Sequence, residues 1–222
     1  MHAPEASTWG VIVPVKGGRR AKSRLRVHLG EKPVARLAMA LALDTVEAAI
    51  GAVGAPHVYV VSAPRDPWSV ALSATGASPL PDPGGGLDAA SASAASRLAT
   101  TGYRQVAVLL GDHPCLTPAD LGVALRAAAG HRYAVVPDAA GTGTALLTTT
   151  APNRFRSAFG AGSAARHQAL GATRLDLDLP GLRLDVDNPH DLAAAIRLGL
   201  GPHTRAALGY AADRAGDNRD HQ

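Results

Sequence analysis

Two hydrophobic rhythms alternate along the chain. Short apolar runs at 11–15 (VIVPV), 57–62 (HVYVVS), 105–111 (QVAVLLG), 133–137 (YAVVP), 144–149 (TALLTT) and 182–187 (LRLDVD) have the length and β-branched content of strands. Between them lie Ala-rich stretches with helical spacing. Val34, Leu37, Ala38, Leu41, Thr45 and Ala49 fall on one face, and a second helix is predicted over 87–100. Two helix starts are marked by their own chemistry. Thr117-Pro118-Ala119-Asp120 puts a hydroxyl at the cap, proline at the first helical position and a carboxylate just after it, and Asn188-Pro189-His190-Asp191 repeats the pattern. Strands alternating with helices predict an α/β protein, a mostly parallel central sheet flanked by helices. The patterned region forms one domain over 9–212. The polar, aperiodic ends at 1–8 and 213–222 are expected to be frayed tails.

Composition narrows the function classes. A chain of 222 residues with 46% apolar residues can bury a full core, but only 4% are aromatic. That core must be Val, Leu and Ala, and a stacking platform for single-stranded nucleic acid has few residues to draw on. The formal charge is +4, much of it from a single loop, which suits an anionic ligand. One cysteine, Cys115, excludes an internal disulfide and a cysteine-based zinc cluster. The longest apolar stretch, around 34–50, is interrupted by Arg36, Asp44 and Glu47, and residues 1–8 carry no signal-peptide pattern. A cytoplasmic protein without membrane or nucleic-acid partners is expected.

The chemistry concentrates at strand ends. The run VIVPVKGGRRAKSRL (11–25) leads a buried strand into a loop where Gly17 and Gly18 permit a sharp turn and close approach to a ligand. Lys16, Arg19, Arg20, Lys22, Arg24 and Arg26 supply positive charge there. A nucleoside triphosphate carries the charge to match; a solvated basic loop or an RNA-binding patch are the alternatives. Asp112 directly follows VAVLLG and Asp187 ends LRLDVD, so both sit where open α/β sheets bind ligands. Two carboxylates with water and substrate phosphates suffice for Mg2+. Asp185 is expected on the same side of its strand as Asp187, though deeper, and Asp185-Val186-Asp187 is also the Asp-x-Asp of metal-dependent glycosyltransferases. That motif normally lies mid-chain, where this sequence carries Gly111-Asp112-His113-Pro114. Two glycine–hydroxyl segments, 138–144 (DAAGTGT) and 159–163 (FGAGS), read either as seats for a carboxylate or phosphate or as an ordinary hairpin and helix cap. In 82–88 (DPGGGLD), the backbone at Gly86 and the carboxylate of Asp88 would approach a ribose or base, or else form a loop and a helix cap.

Six of these segments in this order, VIVPVKGGRRAKSRL, PGGGLDAA, LLGDHPCL, DAAGTGTALL, FGAGSAARH and LRLDVDNPHDL, resemble the guanylyltransferases of coenzyme F-420 biosynthesis. Those enzymes act on phosphoenolpyruvate or 2-phospho-L-lactate and are relatives of the molybdenum-cofactor guanylyltransferases. The resemblance spans residues 9 to about 200 and implies a Rossmann-like nucleotidyltransferase fold. It implies that Lys16, Gly17, Lys22 and Arg24, with Gly86 and Asp88, bind GTP, that Asp112 and Asp187 hold magnesium, and that Thr144, Gly160 and Ser163 bind the phosphorylated three-carbon acid. Catalysis would rest on Lys16, Lys22, Asp112 and Asp187. The 17–20 section is more basic than the family loop. His167 matches a family position but reads as a surface histidine on a helix. Other acceptors remain open, namely 3-phosphoglycerate, a sugar phosphate or molybdopterin, and so does a non-enzymatic RNA-binding module.

Overall fold

The computed structural model describes residues 9–15, 22–63 and 67–209, the side chains at 23, 24, 29 and 67 excepted. Its strands are β1 (Trp9–Pro14), β2 (Val58–Ser62), β3 (Ser78–Pro81), β4 (Gln105–Leu109), β5 (Tyr133–Pro137), β6 (Thr144–Thr149) and β7 (Thr173–Arg174). They form one sheet in the order β3-β2-β1-β4-β6-β5-β7 among the described residues. Five of the six expected strands are there. The pairs β1–β2, β1–β4, β2–β3 and β5–β7 are parallel, whereas β6 runs antiparallel to both β4 and β5. Because β6 reverses twice, β4 and β5 point the same way. The carboxyl ends of β1, β4 and β5 and the start of β6 therefore share one edge. The strand order reverses between β1 and β4, and in open α/β sheets the crevice at that reversal receives ligands.

Both faces of the sheet are covered, which is why β1 reads as a continuous apolar run and not as an alternation. Val11 and Val13 face α2 (Glu31–Val53) and α5 (Pro118–Ala128), in a layer with Val46, Leu121 and Leu125. Ile12 faces the other way, onto Ala90, Ala94 and Leu98 of α4 (Leu87–Thr100). A smaller cluster of Leu25, Val34, Leu37, Leu41, Val186 and Ala195 joins α1 (Ser23–Leu29) and α2 to α8 (Pro189–Leu198). The remaining helices are α3 (Pro67–Ser73), α6 (Ser163–Ala169), α7 (Pro180–Arg183) and α9 (Pro202–Ala207). No described helix is long and apolar enough to cross a membrane.

The two sequence-marked helix starts are built as expected. Thr117 Oγ1 accepts from the Asp120 N–H, and Asn188 Oδ1 accepts from the His190 and Asp191 N–H groups while Asp191 returns the bond to the Asn188 N–H. The expected strand at 182–187 is not in the sheet. Pro180 and Gly181 begin a helical turn instead, and the following stretch is extended without a ladder; its Val186 N–H donates to the Asp112 carbonyl at 3.2 Å. The period-two alternation there records burial: Val186 and Leu182 are fully buried while Asp187 is exposed. Residues 1–8 and 210–222, the proposed tails included, lie outside the described residues.

A cap supplied from a distance closes the fold near the site. Asp44 of α2 is buried and accepts from the His203 and Thr204 N–H groups at 2.9 and 2.8 Å, so it serves the first turn of α9. Gly201 leaves room for it, since a Cβ there would lie 2.3 Å from the Asp44 carboxylate carbon. Asp44→Ala should cost about 1–2 kcal/mol, the worth of a lost cap. Urea unfolding checks this, and an unchanged midpoint would show that α9 needs no cap from α2.

Candidate active site

Lys22 opens α1 and is the single non-glycine residue with positive φ among the described residues, at φ 52° and ψ 47°. A left-handed lysine is strained by roughly 1–2 kcal/mol. Something must hold it there. Its ammonium lies 2.6 Å from Asp112 Oδ2 and 2.7 Å from Asp187 Oδ1, so it bridges the carboxylates that follow β4 and precede α8. Burial alone would lower the Lys22 pKa, but attraction to Asp112 and Asp187 outweighs it and raises the value. Burial likewise pushes against ionisation of Asp112, and Lys22 overcomes it and holds the carboxyl below its usual range.

A third carboxylate joins them. Oxygens of Asp112, Asp185 and Asp187 lie within 4.8 Å of one another. Arg183 fixes the segment that delivers Asp185 and Asp187, because its guanidinium donates to the carbonyls of Asp138 and Pro137 on the β5 side. With three carboxylates against one ammonium, negative charge is in excess. Burial, then Asp112 and Asp187, push the Asp185 pKa up to about 7. Asp112 Oδ1 is buried and has no hydrogen-bond partner among the described residues. An orphaned carboxylate oxygen beside two more is a donor set suited to a hard divalent cation such as magnesium, which takes oxygen ligands. Asp185, expected to sit deeper, thus reaches the cluster. Neighbouring His113 is fully buried, and burial lowers its pKa from the ordinary value.

One cavity of about 540 Å³ connects this cluster to the glycine–hydroxyl segments. Lys22, Asp185 and Asp187 line one side, and Thr142, Gly143, Thr144, Gly160 and Ser163 line the other. Thr144 starts β6 and Ser163 starts α6, so the two come from different elements yet touch, Oγ1 to Oγ, at 2.8 Å. Gly160 (φ 109°) and Gly162 (φ 71°) adopt backbone conformations that side chains resist, and they let the loop fold over α6. Three side chains tie that loop down. Asp88 Oδ1 accepts from the Ser157 hydroxyl at 2.7 Å and the Phe159 N–H at 2.9 Å; Arg166 donates to the carbonyls of Ala158, Phe159 and Ala161; His167 Nε2 accepts from the Ala158 N–H.

The sequence-derived site residues fare differently. Lys22, Asp187, Thr144, Gly160 and Ser163 line the one cleft, and Asp112 joins it through its ion pair with Lys22. Gly86 caps α4, and Leu87 between it and Asp88 lines the cavity. One oxygen of Asp88 is committed to the 157–159 loop, so any contact to a ribose or base falls to the other oxygen. Lys16 and Gly17 lie outside the described residues, as do Arg19, Arg20 and the side chain of Arg24. The reading of His167 as a surface residue is corrected: it is fully buried, with its ring edge-on to Phe159 at 5.0 Å. The signal that could have revealed it is spacing. Ser163 and His167 stand four apart on α6 and so share a face.

Against known proteins, residues 17–176 match the MobA-like NTP transferase domain. The chain belongs to this family. Within this group of NTP transferases, a protein of Geodermatophilus obscurus named phosphoenolpyruvate guanylyltransferase is 46% identical over 215 residues, covering 94% of this chain and 97% of that protein. Among solved structures, a candidate nucleotide-diphospho-sugar transferase from Desulfovibrio desulfuricans G20 superposes with a TM-score of 0.68 at 18% identity, over 92% of this chain and 93% of that one. A nucleotidyl transferase from Methanothermobacter thermautotroptrophicus gives 0.60 at 22% identity, over 86% and 97%. These structures establish the Rossmann-like nucleotidyltransferase fold for this chain as well.

The anchoring of the 157–160 loop is testable. Asp88→Ala removes a carboxyl acceptor shared by two donors and should lower stability by about 1.5–3 kcal/mol. Chemical denaturation measures it. A loss below the error of the fit would mean that Arg166 and His167 hold the loop unaided.

Proposed function

We propose that the protein transfers GMP from GTP to the phosphate of phosphoenolpyruvate, releasing pyrophosphate, as a step in assembling coenzyme F-420; 2-phospho-L-lactate is the runner-up acceptor. One observation carries this reading: a lysine–carboxylate cluster and a hydroxyl–backbone seat face each other across a single cleft. The MobA-like NTP transferase match and the name of the Geodermatophilus relative support the nucleotide and the acceptor.

The chemistry demands little of any one side chain. The acceptor phosphate is largely dianionic near neutral pH, because the second pKa of a phosphomonoester is about 6. One of its oxygens can attack the α-phosphorus of GTP with no general base. A P–O bond forms to the α-phosphorus as the bond to the bridging β-phosphate oxygen breaks, and that electron pair leaves with pyrophosphate. What the protein supplies is alignment of two anionic substrates and neutralisation of the charge that accumulates between them. Magnesium, held by Asp112 and Asp187 with Asp185 beside them, would supply Lewis-acid stabilisation of the triphosphate. Lys22, released from its carboxylates, is within reach of the same phosphates. Thr144, Gly160 and Ser163 receive the three-carbon acid, whose carbon skeleton takes no part in bond making.

Two measurements test this. Pyrophosphate release with each nucleoside triphosphate and each acceptor should be greatest for GTP with phosphoenolpyruvate; release favouring a sugar phosphate, or RNA binding without any release, would replace the assignment. Asp112→Asn and Asp187→Asn should each lower turnover by roughly two to three orders of magnitude while the fold persists, in line with the loss of a strong transition-state contact. Near-normal turnover in either variant would remove that residue from the metal-binding role.

A further inference from the structure

The buried trio His167, Thr144 and Ser163 has a hydrogen-bond direction that can be worked out atom by atom. Ala158 contributes a backbone N–H, which can only donate, to His167 Nε2 at 2.9 Å. Nε2 is therefore an acceptor. Burial desolvates the ring, and with a smaller opposing pull from Asp88 its pKa falls to about 4, so the imidazole is neutral at physiological pH. A neutral ring with an accepting Nε2 carries its proton on Nδ1. That N–H points at Thr144 Oγ1, 2.9 Å away, and donates to it.

Counting protons then fixes what the cleft sees. Thr144 and Ser163 bring two hydroxyl hydrogens, and their mutual 2.8 Å contact uses one. His167 takes none, because it donates. The other hydroxyl hydrogen has no protein acceptor among the described residues, and both side chains line the cavity. Were the ring protonated on Nε2 instead, Nδ1 would consume that hydrogen, and only lone pairs would face the ligand.

On the reading that Thr144, Gly160 and Ser163 seat the acceptor, we infer that His167 is a positioning residue that polarises the Thr144–Ser163 hydroxyl pair toward the cleft, so that the seat presents an O–H donor and selects an anionic oxygen, carboxylate or phosphate. The short α6 helix accomplishes this because Ser163 and His167 stand one turn apart on its inner face. Phe159, edge-on to the ring, and the Asp88-anchored loop hold the Ala158 N–H in place.

The direct test is the tautomer itself. Long-range 15N–1H NMR of the intact, ligand-free protein should show His167 as the Nδ1–H tautomer at pH 7; an Nε2–H tautomer or an imidazolium overturns the inference whatever the kinetics. Activity gives an independent arm. His167→Phe keeps the ring and its packing but not its nitrogens, and should raise KM for phosphoenolpyruvate roughly tenfold to a hundredfold with KM for GTP within about twofold, as for a lost hydrogen bond to a charged group. His167→Gln, whose amide can accept from Ala158 and donate to Thr144 together, should recover most of that loss. Equal damage from both variants, or a rise in KM for GTP instead, contradicts the positioning role. Ser163→Ala separates the two levels. If it leaves KM for phosphoenolpyruvate unchanged, the acceptor seat itself is wrong and the inference falls with it; if it raises that KM while His167→Phe does not, only the role of His167 fails. Truncated acceptors lacking either the carboxylate or the phosphate show which anionic oxygen the hydroxyl meets, since the one whose removal abolishes the Ser163→Ala effect is its partner.

Discussion

The structure turns on the contact of one ammonium with two carboxylates. Lys22 reaches Asp112 and Asp187 at 2.6 and 2.7 Å from a strained left-handed backbone, and it joins segments that are 90 and 165 residues away in sequence. Removing charges from water is costly, and the attraction between close opposite charges in a half-buried site offsets that cost. Here the offset is incomplete, because Asp185 adds a third carboxylate and Asp112 Oδ1 has no hydrogen-bond partner among the described residues. Under the proposed function a cation would supply the missing positive charge. Lys22 holds the carboxylates together, with Asp187, at 54% side-chain exposure, as the open flank.

The opposite side of the cleft is built on different physics. Among the described residues no cation touches its hydroxyls; its polarity comes from backbone groups and from Thr144 and Ser163, pinned by Asp88, Arg166 and His167 behind them. A flexible glycine loop becomes a rigid seat only because its carbonyls and N–H groups are engaged on the inner side. Under the proposed function that division suits a transfer between two anions: the cluster would meet the more highly charged substrate, and the preorganised dipoles would meet the smaller one at little reorganisation cost.

Much of this was legible in the sequence, for reasons that differ by residue. Asp112 was readable because a carboxylate directly after an apolar run in an α/β chain sits at a strand's carboxyl end, and the caps at Thr117 and Asn188 were readable because their hydrogen bonds are local. The strand Ser78–Pro81 was not, since SPLP carries two prolines and such a segment survives only at a sheet edge, where its missing N–H groups are tolerated. The alternation at 182–187 reports that Leu182 and Val186 are buried; whether a buried extended segment pairs with a sheet depends on what lies beside it, here isolated bonds to the Asp112 carbonyl and from the Ala139 N–H in place of a ladder. His167 escaped for a related reason. Its spacing puts it on the face of Ser163, but that this face is the inner one is decided by the 157–160 loop folding over it.

Calorimetric titration of magnesium into the nucleotide-free protein, wild type against Lys22→Met, tests the central claim most directly. If the lysine stands in for a metal ion among Asp112, Asp185 and Asp187, removing its competing charge should tighten magnesium binding by about tenfold or more, each tenfold being 1.4 kcal/mol of lost competition. Equal affinity in the two proteins, or no binding to either, would mean that the carboxylates do not form a cation site and that Lys22 is a structural tie alone.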